Sequence, residues 1–239
     1  MICRDNGGDV GAGRSFLLVL ALFLVLVTLA NGSTQKGVVS PRLSTQVLSL
    51  AERLEAEELL SNLGYWTGPV DGKLDSGSRQ ALIAFQKMEG RRPSGGLTSK
   101  ELDVLRSAKP PSPRFTGSYH VEVDLRRQVL FVVDAENRVS RILPICTGND
   151  KLYTDRGKTA RAHTPRGRFK VLRKINGWRR STLGLLYYPS YITGGIAIHG
   201  SQSVPTYPAS HGCIRIPLFA AQEFSGLAPI GTEVIVYDS

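Results

Sequence analysis

The hydrophobic period of this chain changes once, and the change falls at a proline-rich break. Before residues 109–113 (KPPSP) apolar residues recur every three to four positions, and from Tyr119 they recur at every second position. The first pattern buries one stripe of a helix and the second buries one face of a strand, so the two halves need different architectures. A Pro-rich segment of this kind is stiff and continues neither element. The chain therefore reads as multi-domain α+β: a small three-helix N-terminal domain over residues 43–108, a linker over 109–118, and a mainly β domain over 119–238.

Leu43, Val47, Leu50, Leu54, Leu59 and Leu63 keep helical spacing up to Gly64. Ser78 is placed to cap a second helix with Ala81, Leu82, Phe85 and Met88 on one face. Thr98 and Glu101 have the spacing of a capping box that opens a third helix. Beyond the break, Tyr119, Val121, Val123 and Leu125 alternate with His120, Glu122 and Asp124, the pattern of a half-buried strand. Further strands are expected at 128–134, 139–145, 167–173, 195–198 and 233–237, with one helix from Pro217. Cys146 falls at a strand end and is expected in the core.

Residues 16–30 (FLLVLALFLVLVTLA) are an apolar run preceded by Arg4 and Arg14. A bilayer-spanning helix needs about 20 such residues and a secretory signal about 7–15. Residues 1–30 thus read as a signal peptide or an uncleaved membrane anchor, and the protein as exported. Removal of the signal takes Cys3 with it, leaving Cys146 and Cys213 in a compartment that permits a disulfide. The net charge of +10 admits nucleic acid, an acidic membrane surface or an anionic polymer as partner. Its excess is concentrated in residues 151–180, where 11 basic residues face Asp155 alone.

Residues 198–217 (IHGSQSVPTYPASHGCIRIP) bring two histidines and a cysteine close together in sequence. A nucleophilic thiol needs a base or cation, some exposure, and donors for the oxyanion it creates. A nearby imidazole and the helix N-terminus near Pro217 are expected to lower the pKa of Cys213. Gly212 would let backbone N–H groups approach a substrate carbonyl. On spacing alone the same residues also suit a buried structural cysteine, or zinc ligation by His199, His211 and Cys213. No second cysteine or spaced carboxylate completes a zinc set.

The run Ser210-His211-Gly212-Cys213-Ile214-Arg215, with Ile198-His199-Gly200-Ser201 upstream, resembles the signature of the L,D-transpeptidase (YkuD-type) family. Residues 164–169 (TPRGRF), 189–195 and 231–234 (GTEV) are similar to other parts of that pattern. The segment between His199 and Ser210 is shorter than in many members, which implies a smaller lid. Upstream, residues 63–65 (LGY), 68–72 (GPVDG), Ser78 and the pair Phe85-Gln86 resemble the three-helix peptidoglycan-binding domain.

The resemblance implies a YkuD-like β-sandwich with Cys213 as nucleophile and His199 as base. The base would be oriented by backbone near Gly200 or Ser201, since no Asp or Glu lies between Asp155 and Glu223. His211 competes for the base role on sequence grounds, and the resemblance favours His199. Backbone at His211, Gly212 and Cys213 would hold the oxyanion, while Arg215 and Ser210 would meet substrate. The implied partner is peptidoglycan: a tetrapeptide stem as donor and a diamino-acid amine as acceptor, joined in a 3→3 cross-link after D-Ala leaves. Water as acceptor would make the same site an L,D-carboxypeptidase; the other alternative is a non-catalytic wall-binding protein. No cofactor, no metal and no nucleic acid are implied, and membrane contact only through a retained N-terminal segment. The location implied is the cell wall or periplasm, where the basic stretch would draw the catalytic domain toward anionic wall polymer.

Overall fold

The computed structural model describes residues 47–238, so the signal or anchor reading of residues 1–30 lies outside the described residues. Helix α1 (Leu50–Asn62) starts at the Ser49 cap, whose hydroxyl accepts from the Glu52 amide while the Glu52 carboxylate accepts from the Ser49 amide. Val47, which keeps the helical spacing, precedes that cap and is exposed. Helix α2 (Ser76–Met88) is capped by Asp75, which accepts from the Gly77 and Ser78 amides at 2.7 and 3.1 Å. Ser78, the expected cap, instead lies buried in the first turn and donates to Glu57. Helix α3 (Ser99–Ser107) is capped by Thr98, but only half of the expected box forms. Glu101 turns its carboxylate to Arg91, a bidentate partner at 3.1 and 3.0 Å, in preference to the Thr98 amide.

Glu57 organises the turn-rich stretch between α1 and α2. Its fully buried carboxylate accepts from the amides of Asp71 (2.9 Å) and Gly72 (2.7 Å) and from the Ser78 hydroxyl (2.5 Å). Gly77 permits the close approach behind it, since a Cβ there would sit 2.1 Å from the Thr67 carbonyl oxygen.

The strands in chain order are β1 (His120–Asp124), β2 (Val129–Val133), β3 (Val139–Pro144), β4 (Leu152–Asp155), β5 (Lys158–Arg161), β6 (Gly167–Lys170), β7 (Arg173–Lys174), β8 (Trp178–Ser181), β9 (Gly184–Thr193), β10 (Ile196–Ser201), β11 (Ile214–Pro217) and β12 (Glu233–Tyr237). A 3₁₀ turn at Leu218–Ala220 leads into helix α4 (Ala221–Leu227), between β11 and β12. One sheet has the order β3-β2-β1-β12-β6, with β1 and β12 parallel. The second has the order β11-β10-β9-β7, with β8 also paired to β9, and β4 and β5 form a separate hairpin. The expected strand at 167–173 is thus two short strands in different sheets.

The first sheet is the middle layer of the described residues. One face, with Val121, Val123, Leu130 and Val132, packs against Ile198, Ile214 and Ile216 of the second sheet and against Phe224 of α4. The other face, with Val129, Phe131, Val133 and Ile142, shares a core with Leu60, Leu82, Phe85, Leu102 and Leu105 of the helices. Burying each such side chain is worth about 1.5–3 kcal/mol, so the helical module is docked on the sheet by its own core.

This layering corrects the half-buried reading of β1, in which all five residues are buried. The face carrying His120 and Glu122 is covered by residues that were expected only to link. Glu122 accepts from the amides of Arg114 (3.0 Å) and Phe115 (2.8 Å), and the Phe115 ring meets Tyr237 edge-on at 5.4 Å.

Removing the Glu57 carboxylate would strand two amide donors and a hydroxyl in the module's interior, each costing about 1–3 kcal/mol. Glu57→Ala is therefore expected to lower the unfolding free energy of the chain by about 3 kcal/mol or more in a denaturant titration. Glu57→Gln, which keeps an acceptor oxygen, should lose less.

Candidate active site

Strands β10 and β11 run parallel, with Ile198 opposite Ile214 and His199 opposite Arg215. Side chains alternate along a strand, so burying Ile198 and Ile214 in the core sends their neighbours to the other face. Those neighbours are His199, Arg215 and Cys213, the residue just before β11. All three line one cleft of about 690 Å³, together with His211, Ser210, Ser201, Tyr153, Trp178 and Tyr191.

His199 is 5% exposed, and its Nδ1 lies 2.9 Å from the Gly200 carbonyl oxygen. A carbonyl only accepts, so Nδ1 carries the proton and Nε2 keeps its lone pair. The support is thus the backbone of the next residue. Of the two backbone positions expected, Gly200 and Ser201, it is Gly200 that makes the bond. Gly200 fits because a Cβ there would meet the Ala221 Cβ at 2.5 Å. Burial pulls the imidazole pKa down to about 4, against a smaller opposing effect of the Gly200 hydrogen bond, and the Arg215 charge pulls it further down.

The Cys213 thiol donates to the Gly195 carbonyl at 3.6 Å, not to the imidazole. Burial pushes its pKa above the ordinary value, and the Ala197 amide and Arg215 charge only partly oppose this. The expected lowering is therefore not found. One reason is distance: α4 starts at Ala221, beyond the whole of β11 and a 3₁₀ turn. The strand alone spans about 13 Å, outside the reach of a helix N-terminus. The resting site holds a neutral thiol and a neutral imidazole. Cys146 and Cys213 are both free, and Cys146 is buried.

Ser210 and Gly212 shape the loop that carries the thiol. The Ser210 hydroxyl is buried, donates to the Cys213 carbonyl (2.6 Å) and accepts from the Gly212 amide (3.0 Å). Ser210 therefore braces the loop where it was expected to bind substrate, and the Gly212 amide is committed where it was expected to be an oxyanion donor. Gly212 has φ +128°, and a Cβ there would lie 2.7 Å from the His163 carbonyl oxygen. Thr164 completes the brace, donating to the Gly212 carbonyl (2.7 Å) and accepting from the Gly148 amide (2.9 Å). Its only sequence signal was membership of the TPRGRF run.

His211 is exposed and meets the Tyr153 ring at 4.6 Å. Arg215 has no carboxylate partner among the described residues, so its charge is available to the cleft. The walls come from two hairpins with no alternating apolar pattern, β4–β5 and β8–β9, which the sequence reading did not anticipate. Thr182, in the β8–β9 turn, donates to Asp155 of β4 at 2.7 Å and joins them. Among the described residues no group of three or more His, Cys, Asp or Glu side chains converges as a metal site would require.

Residues 118–236 match the family model of the L,D-transpeptidase catalytic domain, and residues 49–105 match that of a peptidoglycan binding domain. A crystal structure of an L,D-transpeptidase from Xylanimonas cellulosilytica is 40% identical over 78% of this chain and 93% of that one, with a TM-score of 0.73. An L,D-transpeptidase from Stackebrandtia nassauensis is 24% identical over 77% of this chain and 90% of that one, with a TM-score of 0.46. No curated protein matches the chain.

The neutral pair has a spectroscopic consequence. The thiolate ultraviolet absorbance of the wild type minus Cys213→Ser should be absent at pH 7 and rise only at a pH above the ordinary thiol range. A thiolate–imidazolium pair would already absorb below neutrality.

Proposed function

The chain belongs to the L,D-transpeptidase family, and on that premise we propose that it is a cysteine acyltransferase that remodels peptidoglycan stem peptides outside the cytoplasm. The observation that supports this most is the pairing of β10 with β11. It turns the thiol of Cys213 and the imidazole of His199, its Nε2 unprotonated, toward one cleft.

The donor is a tetrapeptide stem whose third residue presents an L-centre carbonyl. Cys213 attacks that carbon as its proton passes to Nε2 of His199. The C–N bond to D-Ala then breaks, the proton leaves with the amine, and a thioester remains. An amine of a diamino acid in a second stem attacks the thioester, gives its proton to His199, and forms the 3→3 cross-link with the thiol regenerated. Water in place of the amine releases a tripeptide.

The timing of the proton follows from the electrostatics. With burial holding the thiol above its ordinary range and the imidazole down at about 4, forming the ion pair before attack is unfavourable. His199 therefore works as a general base in concert with attack. With the Gly212 amide committed to Ser210, oxyanion stabilisation falls to the amides of His211 and Cys213. Arg215 meets a stem carboxylate. The matched peptidoglycan-binding module keeps the enzyme on the wall, and the exposed Arg179 and Arg180 of β8 add attraction for its anionic groups.

Incubation with a disaccharide-tetrapeptide, followed by intact mass spectrometry, tests the reading. The expected adduct is the donor less D-Ala, on Cys213, with cross-linked dimer as product. Cys213→Ala and His199→Ala should form no adduct, whereas His211→Ala should retain it. Retention by His199→Ala with loss in His211→Ala would reverse the base assignment, and tripeptide alone would make the enzyme a carboxypeptidase. Separately, Arg179→Glu with Arg180→Glu should weaken binding to isolated sacculi, most strongly at low salt. Unchanged binding would remove those arginines from the account.

A further inference from the structure

Lys87, on α2 of the helical module, is only 9% exposed, and its ammonium lies inside the β domain. It donates to the carbonyls of Gln128 (2.9 Å) and Ile145 (3.2 Å) and has no carboxylate partner among the described residues. Burial pulls its pKa down to about 8. An apolar side chain would fill the same space without that desolvation cost. What the ammonium adds is a pair of charge-assisted bonds to two particular carbonyls.

Those carbonyls begin a connected run of hydrogen bonds that ends at the backbone of the Cys213 loop. The Ile145 amide donates to the Gln128 carbonyl at 3.0 Å. The Gln128 side chain grips Thr147 at both ends: its Oε1 accepts from the Thr147 amide (3.0 Å), and its Nε2 donates to the Thr147 hydroxyl (2.7 Å). Gln128 itself sits at φ +55°, a strained conformation for a side-chain-bearing residue, which these bonds hold in place. The Thr147 carbonyl accepts from the amides of Ala209 and Ser210, each at 2.9 Å. Ser210 then bonds the Cys213 carbonyl and the Gly212 amide. In parallel, Cys146 and Arg215 exchange both backbone bonds, at 3.1 and 2.9 Å. Residues 145–147 therefore have Lys87 against one side and the nucleophile loop against the other.

We propose that Lys87 is a positioning residue for the Cys213 loop, so that the docked helical module is a working part of the catalytic unit as well as its wall anchor. This rests on Cys213 being the reacting residue. Lys87 touches no substrate; it acts by fixing Gln128 and Ile145, and through Thr147 the loop that aims the thiol. Misplacing a reacting atom by about 1 Å can cost up to 100-fold in rate.

The test uses the full chain with Lys87→Met, which keeps the packing volume and removes the donors. Acylation by saturating tetrapeptide should fall about 10-fold or more, with KM within about 2-fold of wild type, because the loss is of aim and not of binding. Alkylation of Cys213 by iodoacetamide, read by peptide mapping, should accelerate about 3-fold or more as the loop loosens. This second readout needs no substrate, so a wild type that is not acylated by tetrapeptide would overturn the proposed reaction and leave the Lys87 test intact. Thr147→Val weakens the same run without touching α2, because it removes the hydroxyl that accepts from Gln128 Nε2. It should move both readouts in the same directions, and the double variant should be no worse than Lys87→Met alone. If Lys87→Met does not fold, Thr147→Val carries the test through alkylation. Wild-type alkylation and acylation in either folded variant, or additive losses in the double variant, would overturn the proposal.

Discussion

The parallel pairing of Ile198 with Ile214 is the contact from which the site follows. Both isoleucines are held by the core between the two sheets, and that burial fixes the register of β10 against β11. A one-residue slip of β11 would turn Arg215 into the core and Ile214 and Ile216 into the cleft. The chemistry of the cleft thus depends on apolar packing beneath it, and Phe224 of α4 and the inward valines of β1 and β2 serve that packing directly. The loop between the strands adds the final placement of the thiol through Ser210, Thr164 and the left-handed Gly212.

Burial also decides the charge state. A thiol and an imidazole removed from water each favour the neutral form, so the thiol rises and the imidazole falls. The Gly200 carbonyl is a neutral partner and selects a tautomer without adding charge. A carboxylate in that position would have raised the imidazole pKa and moved the pair toward an ion pair. In the proposed reaction, charge would then develop only as the substrate carbonyl is attacked, where backbone amides could meet it.

Much of this was legible in the sequence because it depends on local pattern. The apolar face of α2, the strand content after the proline break and the His-Gly and His-Gly-Cys runs are all short-range signals, whereas the stripe read for α1 misses, with Val47 and Leu50 exposed and Ala56, Glu57 and Leu60 buried. The failures share a different cause. His120, Glu122 and Asp124 alternate with valines yet are buried, because residues 114 and 115 return over that face and Glu122 binds their amides. Ser78 has the chemistry of a cap, but the adjacent Asp75 takes the role and Ser78 goes to Glu57, 21 positions away. Ser210 and Gly212 stand in the right motif, and their polar groups are spent on each other. The hairpins that wall the cleft have no alternating apolar pattern, so no strand periodicity announces them. The docking of Lys87 on Gln128 and Ile145 is a contact across 41 and 58 positions, beyond any local rule.

The central claim is that a neutral Cys213–His199 pair performs the acyl transfer, with the proton in flight during attack. Its most direct test is the single-turnover rate of acyl-enzyme formation on Cys213 by a tetrapeptide donor, measured in light and in heavy water. A clearly slower reaction in heavy water, with the adduct mapped to Cys213, is the predicted result. Equal rates in the two solvents would mean that the thiolate exists before attack, and an adduct on any other residue would contradict the assignment of the nucleophile.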